Sequence, residues 1–191
     1  ELFHRINTQS VRAKGSEIRR GSFRGPFTDF IQQCAQNPLF RKLCPISKAM
    51  LKRREDEELV TRFFCYVDKY KEFRHDVDAF VDAYVSEKRD NFDKERMLAD
   101  FERMLLTVAN YFPNGFAKAN GATSTPRVRF EAIAVGVALA NRERGILIPA
   151  SLPREWLDSK EFIHQTTTHA SNSGPRLRGR IEFVRDKLLK G

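Results

Sequence analysis

The chain has 191 residues, a formal net charge of +9, 41% hydrophobic residues and 31% charged residues. That length supports one domain with its own core, or one domain carrying a remnant of a second. The composition excludes a disordered polymer, and no apolar run approaches the roughly 20 residues that cross a bilayer, so no membrane partner is expected. The longest apolar stretch, 130–140, reads as a buried helix. The basic balance favours nucleic acid or another polyanion as partner.

Residues 1–25 are rich in Arg, Gly and Ser, with Glu1 and Glu17 as their only acids. They read as an irregular basic segment with one helical turn at 16–20, capped by Ser16. A helix follows from Pro26, a residue suited to a first helical turn. Phe27, Phe30, Ile31, Cys34 and Ala35 recur at the spacing of one buried face, and Asn37-Pro38 ends it. A short segment around Leu39, Phe40 and Leu43 comes next.

A long helix is expected over 55–73, with Leu59, Val60, Phe63, Phe64, Val67 and Tyr70 inward. Its acid run, Glu55 to Glu58, fits helix-start chemistry rather than a metal site. Asp76 and Asp93 cap two further helices. Thr125-Pro126 opens another, as cap and first helical residue, and Gly145 closes it. That helix carries so many small residues that it belongs at the centre of the bundle. Trp156 and 159–163 suggest a short helical pair. A last helix after Pro175 carries Leu177, Ile181, Val184 and Leu188. With no comparable run of strict two-residue alternation, strands are at best minor, and the fold is expected to be all-α, a bundle of about seven helices.

Catalytic patterns are scarce. His4, His75, His164 and His169 fall in no HExxH, and there is no phosphate-binding GxxxxGK[ST] and no GxGxxG. Cys34, Cys44 and Cys65 show no CxxC spacing. An odd, sparse set fits a reducing, cytoplasmic setting, with Cys34 and Cys65 as core residues rather than metal ligands. No metal is expected. The turn "RRGSFRGPF" reads as a hinge that can also offer backbone N–H groups to phosphate.

On the last helix, Arg176, Arg180 and Lys187 share one flank, and Arg178 and Arg185 the other. A Ser/Thr/Asn-rich loop precedes them. Arg19, Arg20, Arg24, Arg176, Arg178, Arg180 and Lys187 are therefore the candidate nucleic-acid contacts. The alternative is a solvated amphipathic helix whose Arg side chains cover apolar edges. The stacking aromatics of single-strand binders are missing from this helix.

The segment "LFHRINTQS", with "SEIRRGSFRGPF" shortly after it, resembles the domain of unknown function 262 family, that of the GmrS part of GmrSD-type type IV restriction enzymes. Phe3, Arg5, Ile6, Asn7 and Thr8 match its FxRIN[TS] segment. Glu17, Ile18 and Arg19 match the family's E-I-R segment, and Gly25, Pro26 and Phe27 its G-P-F. Arg176, Arg180, Ile181 and Val184 match its closing pattern. The resemblance implies an upstream ParB/sulfiredoxin-like nucleotidase domain with an Asp-Gly-Gln-Gln-Arg motif, a role in bacterial defence against phage or modified DNA, and often a joined nuclease. For the parent protein it implies a nucleoside triphosphate and Mg. Here the Asp-Gly-Gln-Gln-Arg motif and an HNH-like His cluster are both missing, and Ser10 and Ala13 stand where the family usually has Gly and often Leu.

Residues 1–25 are then expected to be the remnant or linker of the upstream domain, and 26–191 the helical domain. Arg5 and Asn7 would be a partial nucleotide site, with no complete catalytic site in this chain. The expected function is a helical module that contacts DNA, the nucleotidase domain or a nuclease subunit through basic termini. Part of a nucleoside-triphosphate-hydrolysing restriction enzyme and a protein-interaction scaffold are the alternatives.

Overall fold

A computed structural model describes residues 23–145, 147–167 and 172–190. The described residues form an all-α fold, with no strand and ten helices: α1 (Pro26–Ala35), α2 (Pro38–Leu43), α3 (Lys48–Lys52), α4 (Glu55–Lys69), α5 (Val77–Lys88), α6 (Lys94–Tyr111), α7 (Arg127–Arg144), α8 (Pro153–Trp156), α9 (Lys160–Gln165) and α10 (Gly174–Lys190). Of the short helices, α8 and α9 are the pair expected at Trp156 and 159–163, and α2 lies in the short segment expected around Leu39, Phe40 and Leu43; α3, five residues long with none buried, leaves no readable apolar stripe.

The expected face of α1 is the buried one: Phe27, Phe30, Ile31, Cys34 and Ala35 all point inward. Its start is fixed locally and at long range. Thr28 Oγ1 accepts from the Gly25 amide at 3.1 Å and donates to the Gly25 carbonyl at 2.8 Å. The Phe27 amide donates to the Arg89 carbonyl just beyond α5. Asn37 does more than end α1, because its Oδ1 accepts from the Leu39 and Phe40 amides and so caps α2. Asp76 and Asp93 cap α5 and α6 as expected, each accepting one amide at 3.0 Å.

Two boundaries differ from the sequence reading. Helix α4 stops at Lys69, and Tyr70 to Phe73 form a turn whose Phe73 is nevertheless buried. Pro126, not Thr125, holds the cap position of α7, and no side chain caps that helix.

Helix α7 lies at the centre, as its small residues predicted. Nearly every position from Val128 to Asn141 is buried, against α4, α6 and α10. Gly136 explains how close α10 comes. A Cβ there would lie 2.7 Å from Val184 Cβ and 2.9 Å from the Ile181 carbonyl oxygen. One continuous cluster of buried side chains runs from Phe27 to Leu189. Aromatic edge-to-face pairs tie its parts together: Phe63 with Phe101, Phe116 with Phe130, and Trp156 with Phe112 and Phe183. Cys34, Cys44 and Cys65 are all buried and in no disulfide, so the core role expected of Cys34 and Cys65 holds and extends to Cys44. Burial pushes the Cys34 and Cys44 thiols up to about 12.

Candidate nucleic-acid interface

Arg5, Asn7, Arg19 and Arg20, with His4, His169 and the turn at 16–20, lie outside the described residues. Arg24 is described and exposed beside α1. The remaining candidates all sit on α10.

The start of α10 is pinned to the turn after α4. The Gly174 amide donates to the Arg74 carbonyl at 2.5 Å. There is no room for a side chain at 174, since a Cβ would lie 2.5 Å from the Phe73 carbonyl oxygen. The first two turns of α10 therefore stand over residues 71–74. Arg178 Nη1 reaches the Lys71 carbonyl at 3.5 Å. Arg176 Nη1 lies 3.4 Å from His164 Nε2 on α9. Lys71 and Arg74 are exposed in the turn that carries those carbonyls. None of Lys71, Arg74, Arg176 and Arg178 has a carboxylate within ion-pair distance among the described residues. The N-terminal end of the helix dipole adds positive potential at this end.

Lys187 lies three turns further along α10, with its ammonium 5.9 Å from the Phe183 ring centroid. Arg185 is turned to Asp186 at 2.7 Å and to Tyr70 Oη at 3.5 Å. Arg178 and Arg185 do share a flank, the one facing the end of α4.

Arg180 is a correction. It is only 3% exposed and donates to Glu131 Oε2 at 2.6 Å, so no phosphate meets it on the surface. Glu131 also accepts from Arg62 at 3.0 Å, and Arg62 donates to Glu58 at 2.6 Å. These four charges join α4, α7 and α10 inside the bundle. Burial works against the Arg62 cation, but the Glu131 and Glu58 carboxylates outweigh it and hold its proton more tightly than usual.

The acid run at the start of α4 is helix-start chemistry, as expected, and each acid also has its own arginine. Glu55 holds Arg127 through both oxygens, Asp56 meets Arg41, Glu57 meets Arg54 and Glu58 meets Arg62. Among the described residues no three His, Cys, Asp or Glu side chains gather as a metal-holding group. No described helix is long and apolar enough to cross a membrane.

The two basic regions of the described chain do not merge. Gly25 packs on Arg89 and Asp90, just past the end of α5, while Gly174 packs on Phe73 and Arg74, just before its start. The 12 residues of α5 separate them by about 18 Å at the helical rise. Arg24 is thus one site and the start of α10 another. Sequence reasoning missed Lys71 and Arg74. Their signal was the basic run "KYKEFRH" where the α4 stripe fades.

No family model, curated protein or solved structure matches this chain.

Proposed function

We propose that the chain is the helical module of a GmrS-like bacterial anti-phage or restriction protein, that it contacts DNA through the start of α10, and that it completes no catalytic site of its own. The observation that carries the DNA contact is the cation group Lys71, Arg74, Arg176 and Arg178. It has no carboxylate partners among the described residues, in a protein where Arg41, Arg54, Arg62, Arg127, Arg142 and Arg180 are each neutralised. Unneutralised guanidinium groups beside a helix N-terminus suit phosphate oxygens, which they hold in bidentate fashion. The GmrS-like assignment rests on Arg5, Ile6 and Asn7, with Glu17 to Arg19 and Gly25 to Phe27.

The test is duplex binding across a salt series. Phosphate contact requires the affinity to fall with salt. Arg176→Glu with Arg178→Glu is expected to weaken binding about tenfold or more and to flatten the salt dependence by about two phosphate contacts. Unchanged affinity in that variant would leave the scaffold reading standing. The enzymatic reading is favoured by Arg5 and Asn7. Hydrolysis of nucleoside triphosphate by the purified chain, lost in Arg5→Ala, would replace the proposal with it.

A further inference from the structure

We propose that Arg129, in the first turn of α7, holds a terminal oxyanion, the phosphate or carboxylate end of a small ligand, between α9 and the loop that follows α6. Arg62, Arg129 and Arg180 are the most deeply buried arginines described, at 7%, 6% and 3% exposure. Arg62 and Arg180 both meet Glu131, and Arg62 also meets Glu58. Arg129 meets no carboxylate within ion-pair distance among the described residues. Its hydrogen bond leaves from Nε to the Ala117 carbonyl at 3.2 Å. Tethering that carbonyl accounts for Nε alone, and a neutral donor would do it without the cost of burying a charge.

The surroundings shape what can bind. The guanidinium carbon lies 5.2 Å from the Phe162 ring centroid. Phe162 is itself fully buried and packs on Trp156 and Phe183. Stacking on an aromatic face holds the guanidinium plane and leaves its edge for hydrogen bonds. The terminal nitrogens Nη1 and Nη2 donate to nothing among the described residues, yet neither is sealed from solvent. The opening is small, so it admits the end of a ligand rather than its body. Paired N–H donors on a fixed plane match two oxygens of a carboxylate or a phosphate.

The helix end adds to the attraction. Helices α4, α5 and α6 each open with acidic residues that complement the dipole. Helix α7 opens with none, and no side chain caps it. Its first turn carries Arg127 and Arg129 instead. Glu55 offsets Arg127 through both oxygens. For Arg129 the nearest counterweight is exposed Asp158, which acts on it only from a distance. Burial lowers the Arg129 guanidinium below the usual arginine range, and Asp158 opposes this only in part. An anion on Nη1 and Nη2 supplies the missing charge to the cation and to the helix end together. The inference stands on this packing, independently of the DNA-contact reading and of the family resemblance.

The experiment is a titration of the full chain with inorganic phosphate and, separately, with acetate, at an ionic strength held constant with chloride. Arginine Nε–H resonances are followed by NMR and affinities by calorimetry. The Arg129 resonance, assigned by its loss in Arg129→Lys, is expected to shift saturably with at least one of the two anions. Tighter phosphate binding assigns the site to a phosphate ester, and tighter acetate binding to a carboxylate. Arg129→Lys keeps the charge but not the paired donors, and is expected to bind about tenfold more weakly. Arg176→Glu with Arg178→Glu is expected to leave the affinity within about twofold of the wild type. Three results would each overturn the proposal: an Arg129 resonance that neither anion moves, an affinity unchanged in a folded Arg129→Lys protein, or binding abolished by the two reversals on α10. Should Arg129→Lys fail to fold, the anion response of the wild-type resonance decides alone, with assignment taken from its contact to Phe162.

Discussion

Arg180 on α10 donates to Glu131 on α7 at 2.6 Å, and the two side chains are 3% and 2% exposed. With Arg62 and Glu58 they form an internal array of two cations and two anions. Pairs like this add little net stability when whole, because desolvation offsets attraction, but they penalise the loss of one member severely. Arg180→Ala leaves Glu131 with Arg62 alone, and a loss of about 3 kcal/mol in urea unfolding is expected. DNA affinity of the folded variant should stay within about twofold of the wild type, well short of the tenfold loss expected of Arg176→Glu with Arg178→Glu. A large affinity loss in a fully folded Arg180→Ala protein would show that this arginine does reach the ligand.

The same interface depends on a missing side chain. Gly136 allows Val184 and the backbone of Ile181 to approach. Gly136→Val is expected to destabilise the chain by about 3 kcal/mol or more through overpacking, although a glycine in a helix interior ordinarily costs about 1 kcal/mol relative to alanine. Val184→Ala should rescue it only in part, because the Ile181 carbonyl cannot be trimmed. Full rescue in thermal unfolding would mean that α10 can shift outward without cost.

Local features were legible. The α1 stripe and the caps at Asp76 and Asp93 follow from spacing and one side-chain oxygen, and both depend only on neighbours in sequence. The burial of Arg180 was not legible from α10, because its placement at the edge of the apolar stripe fits either a flank or the core. Glu131, 49 residues away in the pairing, decides it. The available signal was Glu131 itself, a lone acid within the buried run 130–140, which required a buried cation as partner. The cation group at the start of α10 was half legible. Arg176 and Arg178 belong to one helix, but Lys71 and Arg74 join them only through the packing of Gly174 against the α4–α5 turn.

The two aspartate caps permit a direct comparison. Asp93 and Asp76 each satisfy a single amide on an exposed helix start, so Asp93→Ala and Asp76→Ala should each lower stability by about 1 kcal/mol. Because α6 buries Met97, Phe101, Met104, Leu105 and Val108 while α5 buries only three residues, unfolding of α5 alone is the less costly event. Hydrogen exchange should therefore speed up mainly within α5 in Asp76→Ala, whereas Asp93→Ala should lower protection across the whole core. The opposite pattern would reverse the assigned order of local stability.

The buried thiols give the chain an alkaline limit. Burial disfavours the thiolate and pushes Cys34 and Cys44 from 9.0 up to about 12 in the folded chain. A group whose folded value is raised contributes stability that is complete below its unfolded value and is lost as pH climbs toward the folded one. Above pH 9 the unfolded chain releases these protons while the native chain keeps them, so unfolding is drawn forward. Tyr66 and Tyr84 are raised by burial as well and act in the same direction at higher pH. Stability measured by urea titration should thus decline steadily from pH 9 upward, and Cys34→Ala should show a shallower decline than the parent despite its cavity. Alkylation at pH 8 should be slow in the native protein and fast after unfolding. A decline equally steep in Cys34→Ala, or ready labelling of the native chain, would show that this thiol is not held protonated in the core.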